Sequence, residues 1–237
     1  MPSQKKSTGL IVALDTQDLQ QARQWITEIG DAAGMVKVGF EFVYAAGFSA
    51  VVEIGQEKPL FLDLKLHDIP NTVFLAIRSL SYIKPRMLTI HASGGRAMIE
   101  AARKACDAFF PVEHRPVLLG VTVLTSLDEN GLAETGIERG VEAQVRHLGA
   151  LALKSGCDGL VCSAMELEML RAIFGEKPVL VTPGIRPAGT DKGDQKRAMT
   201  PAQACQAGAD WIVVGRPITQ AKEKQKAAQA IVSELSL

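Results

Sequence analysis

Short apolar runs rich in β-branched residues alternate with longer stretches of helical period from one end of the chain to the other. The strand-like runs fall at residues 10–14, 35–38, 60–66, 87–91, 117–123, 159–162, 179–182 and 211–214. Ala-rich stretches with an amphipathic helical repeat predict helices at 18–29, 71–81, 96–109, 142–154, 166–174, 201–207 and 217–235. After the second strand only a short helical segment, 41–46, is legible. Parallel strands need crossover connections and helices supply them, so the alternation predicts a parallel sheet. Eight such units close most simply into an α/β structure of the (β/α)8 TIM-barrel type. A doubly wound sheet is the alternative, but its sequences less often place polar residues at the ends of so many strands.

No Gly/Ser-rich or Pro-rich tract divides the chain, and its length of 237 residues is near the roughly 250 typical of this barrel. One domain spanning 1–237 is therefore expected, with residues 1–8 as a polar N-terminal extension. A composition of 47% hydrophobic and 22% charged residues suits a packed core rather than a disordered chain. Acidic and basic residues balance at 26 each, which lacks the electrostatic footprint of a general nucleic-acid binder, so any anion must be held locally. The polar start has no apolar signal-peptide core, and no run approaches the roughly 18 apolar residues of a membrane span. The expectation is a cytoplasmic protein that binds neither membrane nor nucleic acid. Cys106, Cys157, Cys162 and Cys205 form no C-x-x-C pair and have no His at zinc-like spacing, so they read as reduced, mostly buried small hydrophobes.

In a barrel of this kind the site is built at the C-terminal ends of the strands, and charges gather there. In the third strand, period-two alternation turns Leu60, Leu62, Leu64 and Leu66 toward the helices, and Phe61, Asp63 and Lys65 into the barrel. The second strand brings Lys37 to the same mouth, and the first ends at Asp15, on the face of Ile11 and Ala13. A structural ion pair is the plainer reading of Asp63 and Lys65. Four alternating charges from three adjacent strands favour a preset field, at roughly 4 kcal/mol per close pair for an effective dielectric near 20.

Asp68-Ile69-Pro70-Asn71-Thr72 can be a helix start, since Asp, Asn and Thr cap helices and Pro suits the first turn, or a ligand-binding segment. Thr125 follows the fifth strand. Ser126 is ambiguous, because Ser126 and Glu129 have capping-box spacing. The seventh and eighth strands end in Pro183-Gly184-Ile185-Arg186 and Gly215-Arg216-Pro217. Loops at these positions are the usual phosphate site of the fold, where Gly215 permits close approach and Arg216 offers a fork of donors. The polar stretch 188–198, which contains Gln195, reads as a lid over that phosphate rather than an idle loop. His91, like His67, His114 and His147, has no metal-ligand spacing. His91 is expected to be a hydrogen-bonded barrel residue, and no metal is expected.

Asp63-Leu-Lys65-Leu-His67-Asp68-Ile-Pro70-Asn71-Thr72 resembles the D-x-K-x-x-D, I-P-N-T signature of the orotidine 5'-monophosphate decarboxylases. Ala13-Leu-Asp15, Lys37-Val-Gly39, His91-Ala-Ser-Gly-Gly95, Thr122-Val-Leu-Thr125-Ser126, Pro183-Gly-Ile-Arg186, Gly193-Asp-Gln195 and Gly215-Arg216-Pro217-Ile218 extend the resemblance, in order, over nearly the whole chain. The resemblance implies a cofactor-free and metal-free carboxy-lyase of pyrimidine biosynthesis that makes UMP and CO2. It also implies a homodimer with shared active sites, in which Asp68 and Thr72 reach the partner's site. By the same resemblance Lys65 donates a proton to the C6 carbanion beside Asp63, Asp15 and Lys37 hold ribose, and Thr125 and Ser126 face the pyrimidine. Gln195, Gly215 and Arg216 take the phosphate, with Pro183 and Arg186 beside it. A magnesium-dependent sugar-phosphate decarboxylase or aldolase of the same superfamily shares the D-x-K-x-x-D pattern and is the competing reading. The I-P-N-T extension, Lys37 and the Thr125-Ser126 pair favour the nucleotide.

Overall fold

The computed structural model describes residues 7–187 and 199–235. Strands β1 (Gly9–Ala13), β2 (Met35–Val38), β3 (Leu60–Leu66), β4 (Met87–His91), β5 (Val117–Val121), β6 (Gly159–Val161), β7 (Val179–Thr182) and β8 (Trp211–Val214) run parallel and close in sequence order. The seam is β1 on β8, in register from Gly9↔Trp211 to Val12↔Val214. The eight-unit reading and the barrel class both hold, with strand ends displaced by at most two residues.

Closure splits the apolar side chains of each strand between two cores, as the period of two requires. Ile11, Ala13, Met35, Phe61, Met87, Leu119, Val181 and Val213 fill the barrel. Leu60, Leu62 and Leu64 face outward, with Val12, Val36, Leu88, Leu118, Leu160, Leu180 and Ile212, into the layer packed against the helices. At the base the Trp211 indole covers Gly9, where a Cβ would collide with the ring. Thr8, placed by sequence at the end of the polar extension, is buried and donates its hydroxyl to Ala209 O at 2.7 Å.

The helices are α1 (Leu19–Ile29), α2 (Phe40–Glu57), α3 (Pro70–Leu80), α4 (Gly95–Phe109), α5 (Glu129–Ala133), α6 (Val141–Lys154), α7 (Leu167–Phe174), α8 (Pro201–Gln206), α9 (Arg216–Thr219) and α10 (Lys224–Glu234). Two differ from expectation. Helix α2 runs far beyond residue 46, through a kink at Gly47 whose φ of 77° only glycine adopts readily. Beyond the kink, burial of Ala50, Val51 and Ile54 overrides the poor helical propensity of a segment rich in β-branched residues and glycine. The single C-terminal helix expected from 217 to 235 is instead α9 and α10, separated by a turn at 220–223. The two share one polar, Ala-rich pattern, and it is packing that divides them: α10 lies along α1, tied by Lys224 to Glu28 at 2.8 Å.

The base of the barrel is pinned by ion pairs. Arg171 Nη2 meets Asp210 Oδ2 at 2.7 Å, with both side chains about nine-tenths buried. The remaining guanidinium N–H groups donate to the carbonyls of Gly208, Gly175 and Pro178, while Asp210 accepts from Leu180 N. Among the described residues no helix is long and apolar enough to cross a membrane.

Candidate active site

A cavity of about 270 Å³ opens at the C-terminal ends of the strands. Its floor is apolar, formed by Ala13, Phe61, Val121, Val161 and Val213, and its walls are charged. An apolar floor excludes water below the charges and strengthens every electrostatic interaction above it.

The charges form an alternating chain. Lys37 Nζ lies 3.5 Å from Asp15 Oδ1 and 3.6 Å from Asp63 Oδ2, and Lys65 Nζ donates to that same Oδ2 at 2.9 Å. Asp63 accepts a further hydrogen bond on Oδ1 from the Thr89 hydroxyl, at 2.9 Å. Burial is the largest influence on Asp63 and acts against its charge. The ammonium groups of Lys37 and then Lys65, with hydrogen bonds from Lys65 and Thr89, outweigh it and hold the carboxyl below its ordinary range. The central carboxylate is therefore ionised at neutral pH, which keeps two cations side by side in a half-closed site.

The backbone is strained at the same point. Lys65 has φ of 44°, a left-handed conformation that costs a non-glycine residue about 1–3 kcal/mol. Its N–H leaves the strand ladder and donates to Thr89 Oγ1 at 2.8 Å. Sequence reasoning missed Thr89, although the signal was present: a threonine two residues after Met87 on an inward face is a polar group placed where only an apolar one packs freely.

The remaining lining comes from Thr125, Pro183, Gly184, Arg186, Gly215 and Arg216. Gly215 lies beside β1, where a Cβ on it would be 3.5 Å from Asp15 Oδ2, at ordinary contact distance. Arg186 is set by a bridge between Ile185 and Met199 and by its own N–H, which donates to Met199 O at 3.0 Å. Gln195 and the expected lid at 188–198 lie outside the described residues.

Three sequence-derived candidates do not line this cavity. Ser126 is exposed beyond it and caps nothing: α5 is capped by Asp128, which accepts from Gly131 N, and Glu129 accepts from Val141 N. Asp68 and Thr72 lie instead in a second groove with Phe40, Tyr44, Phe48 and His67. Their capping role does not materialise either, because α3 starts at Pro70 with no side-chain cap and Asp68 accepts from the neighbouring Ile69 N at 2.6 Å. His91, expected to be hydrogen-bonded, lies instead against the His67 ring at 5.3 Å between centroids. Burial, reinforced by His67 and Lys65 and opposed by Asp63, keeps its pKa below the ordinary value, which favours the neutral imidazole. Among the described residues no group of three or more His, Cys, Asp or Glu is placed to hold a metal ion.

Comparison with known proteins gives a consistent result. Residues 8–231 match the family described as "Orotidine 5'-phosphate decarboxylase / HUMPS family". The orotidine 5'-phosphate decarboxylase of Gluconobacter oxydans is 51% identical over 232 residues, covering 98% of each chain. That of Moorella thermoacetica is 47% identical, covering 96% of this chain and 92% of its own. The crystal structure of the Lactobacillus acidophilus orotidine 5'-phosphate decarboxylase superposes with a TM-score of 0.87 at 38% identity, over 97% of this chain and all of that one.

Proposed function

Since the chain belongs to the orotidine 5'-phosphate decarboxylase / HUMPS family, we propose that the cavity lined by Asp15, Lys37, Asp63 and Lys65 is where its substrate reacts, with Lys65 as proton donor. The activity is decarboxylation of orotidine 5'-monophosphate to UMP, the carboxy-lyase step of pyrimidine biosynthesis. Relatives of near-full length and up to 51% identity carry the decarboxylase name, which favours the nucleotide over the sugar-phosphate reading.

The observation that carries the assignment is the ammonium of Lys65 held 2.9 Å from an ionised, buried carboxylate at the mouth of an apolar-floored cavity. Loss of CO2 from C6 of the pyrimidine leaves a carbanion with no adjacent electron sink. A fixed cation beside it stabilises the developing charge, and the same cation supplies the proton that completes the C–H bond. Asp63 aims and retains that cation. It also presents a negative charge toward the departing carboxylate, while the preset field of the other groups remains in place throughout the reaction. Asp15 and Lys37, at the β1–β2 side, suit the ribose hydroxyls. Thr125, with Ser126 on the loop beyond it, suits the pyrimidine edge. Gly215 and Arg216, with Arg186 and Pro183 close by, suit the phosphate, and the resemblance adds Gln195, which lies outside the described residues.

The reaction so described uses no metal and no cofactor. It takes place in a cytoplasmic homodimer in which Asp68 and Thr72 complete the partner's site. The second groove supports that assembly: around Asp68 it exposes Phe40 (44%), Phe48 (40%) and Tyr44 (80%), an apolar patch of the kind that marks an interface. Absorbance of orotidine 5'-monophosphate in EDTA-containing buffer measures the reaction directly. Full turnover with EDTA, and none in Lys65→Ala, is expected; chelator-sensitive activity would restore the sugar-phosphate reading, and an active Lys65→Ala would remove Lys65 as donor. For the dimer, Lys65→Ala mixed with Asp68→Ala should regain activity that neither has alone, because one site of each hybrid is intact. No recovery in a confirmed hybrid would refute sharing.

A further inference from the structure

Opposite three residues of β3, strand β4 offers one. Leu62 pairs with Leu88 and Leu66 with Ile90, so Asp63, Leu64 and Lys65 face Thr89 alone. An interrupted ladder leaves backbone N–H groups without their strand partners, and such bulges occur next to active sites, where they re-aim a side chain. The Lys65 N–H donates to Thr89 Oγ1, and that hydroxyl in turn donates a hydrogen bond to Asp63 Oδ1. A hydroxyl has one proton and two lone pairs, so the two bonds fix each other's direction. Thr89 is fully buried and β-branched, which leaves its side chain little rotational freedom.

We propose that Thr89 is a positioning residue for the decarboxylation, its hydroxyl tying the left-handed kink at Lys65 to the Asp63 carboxylate and so setting the geometry of the reacting pair. The proposal rests on the reading of Asp63 and Lys65 given above. Asp63 Oδ2 is already taken by Lys65 Nζ and faces Lys37, so among the described residues the orientation of the carboxylate plane depends on the bond at Oδ1. The charged and titratable groups around it are Lys37 from β2, Asp15 behind Lys37 from β1, Lys65 on its own strand, and His91 with His67 on the β4 side.

Two substitutions separate the hydroxyl from the methyl. Thr89→Val keeps the shape and removes the hydroxyl; Thr89→Ser does the reverse. Thr89→Val should lower kcat roughly 10- to 100-fold, as misalignment of a reacting group does, while KM stays within about threefold. The acid limb of its kcat/KM profile should move to higher pH, because Asp63 has lost a donor to its charged form. Thr89→Ser should return both readouts toward the parent.

A Thr89→Val enzyme with parental kcat and pH profile, alongside an inactive Lys65→Ala, overturns the role of Thr89 and leaves the reacting pair standing. An active Lys65→Ala overturns the pair and this proposal with it. Thr89→Ser as impaired as Thr89→Val also overturns it, since the hydroxyl would then not be the determinant. Should Thr89→Val not fold, hydrogen exchange of the Lys65 amide in the unaltered protein decides: protection like that of barrel-strand amides supports the bond, and exchange at the rate of an exposed loop overturns it.

Discussion

Replacing Asp63 by Asn changes the charge at the centre of the site while preserving its shape. The carboxylate lies 2.9 Å from the Lys65 ammonium and 3.6 Å from that of Lys37. At an effective dielectric of about 20, these gross attractions are about 6 and about 5 kcal/mol. Both disappear in the amide, and two ammonium groups remain together over an apolar floor. The quartet of Asp15, Lys37, Asp63 and Lys65 changes from net zero to one positive charge. An anionic nucleotide should therefore bind at least as well as before, while Lys65, the proposed proton donor, loses the carboxylate that holds it. If half of the closer attraction is expressed only in the transition state, about 3 kcal/mol is lost, a fall in kcat of roughly 100-fold. The assay is single-turnover absorbance for the chemical step, with calorimetric titration of UMP for binding. Turnover near that of the parent, or a Kd for UMP weakened as much as kcat is reduced, would refute the argument that Asp63 acts on the reacting cation rather than on ground-state affinity.

Arg216→Ala should reduce kcat/KM for the nucleotide at least tenfold more than for the phosphate-free nucleoside, because binding energy far from the reacting carbon is used to align the ring; paired kinetics on the two substrates check it. Asp210→Ala leaves the Arg171 guanidinium buried without its carboxylate, which should cost about 3–5 kcal/mol and lower Tm by about 6–20 °C at 2–4 °C per kcal/mol, read by calorimetry. The Asp63 carboxyl is held below its ordinary value of 3.8 in the folded protein, so its contribution to stability is complete only above about pH 5 and is lost as pH falls through the folded value. Acid unfolding of the parent should show that component, and Asp63→Asn should lack it. Burial pushes the Cys106 and Cys157 thiols up to about 12, so a thiol reagent at pH 8 should leave both unmodified until denaturant is added, as mass mapping of the labelled positions would show.

The barrel and most residues of the candidate cavity were legible in the linear chain because both depend on local periodicities. Alternation with period two assigned Phe61, Asp63 and Lys65 to the interior and Leu60, Leu62 and Leu64 to the helix layer, and the two cores divide along that line. The same rule brought Asp15 and Lys37 to the mouth from neighbouring strands, since eight strands in sequence order leave little freedom about which ends are adjacent. The motif around Asp63 then pointed to one family, and the comparisons agree.

What depended on contacts between distant segments had no local signal. Helix α2 continues past Gly47 because the barrel buries its second half. Asp68 and Thr72 lie outside the cavity because β3 ends at Leu66 and the chain turns away, toward a groove with Phe40 and Tyr44. The slip between β3 and β4, the left-handed backbone of Lys65 and the hydroxyl of Thr89 that joins them exist only in the paired sheet. A strand's own residues determine which face each side chain takes. Its register is determined by hydrogen bonds to a neighbour tens of residues away, and the distance between a cation and a carboxylate is a consequence of that register.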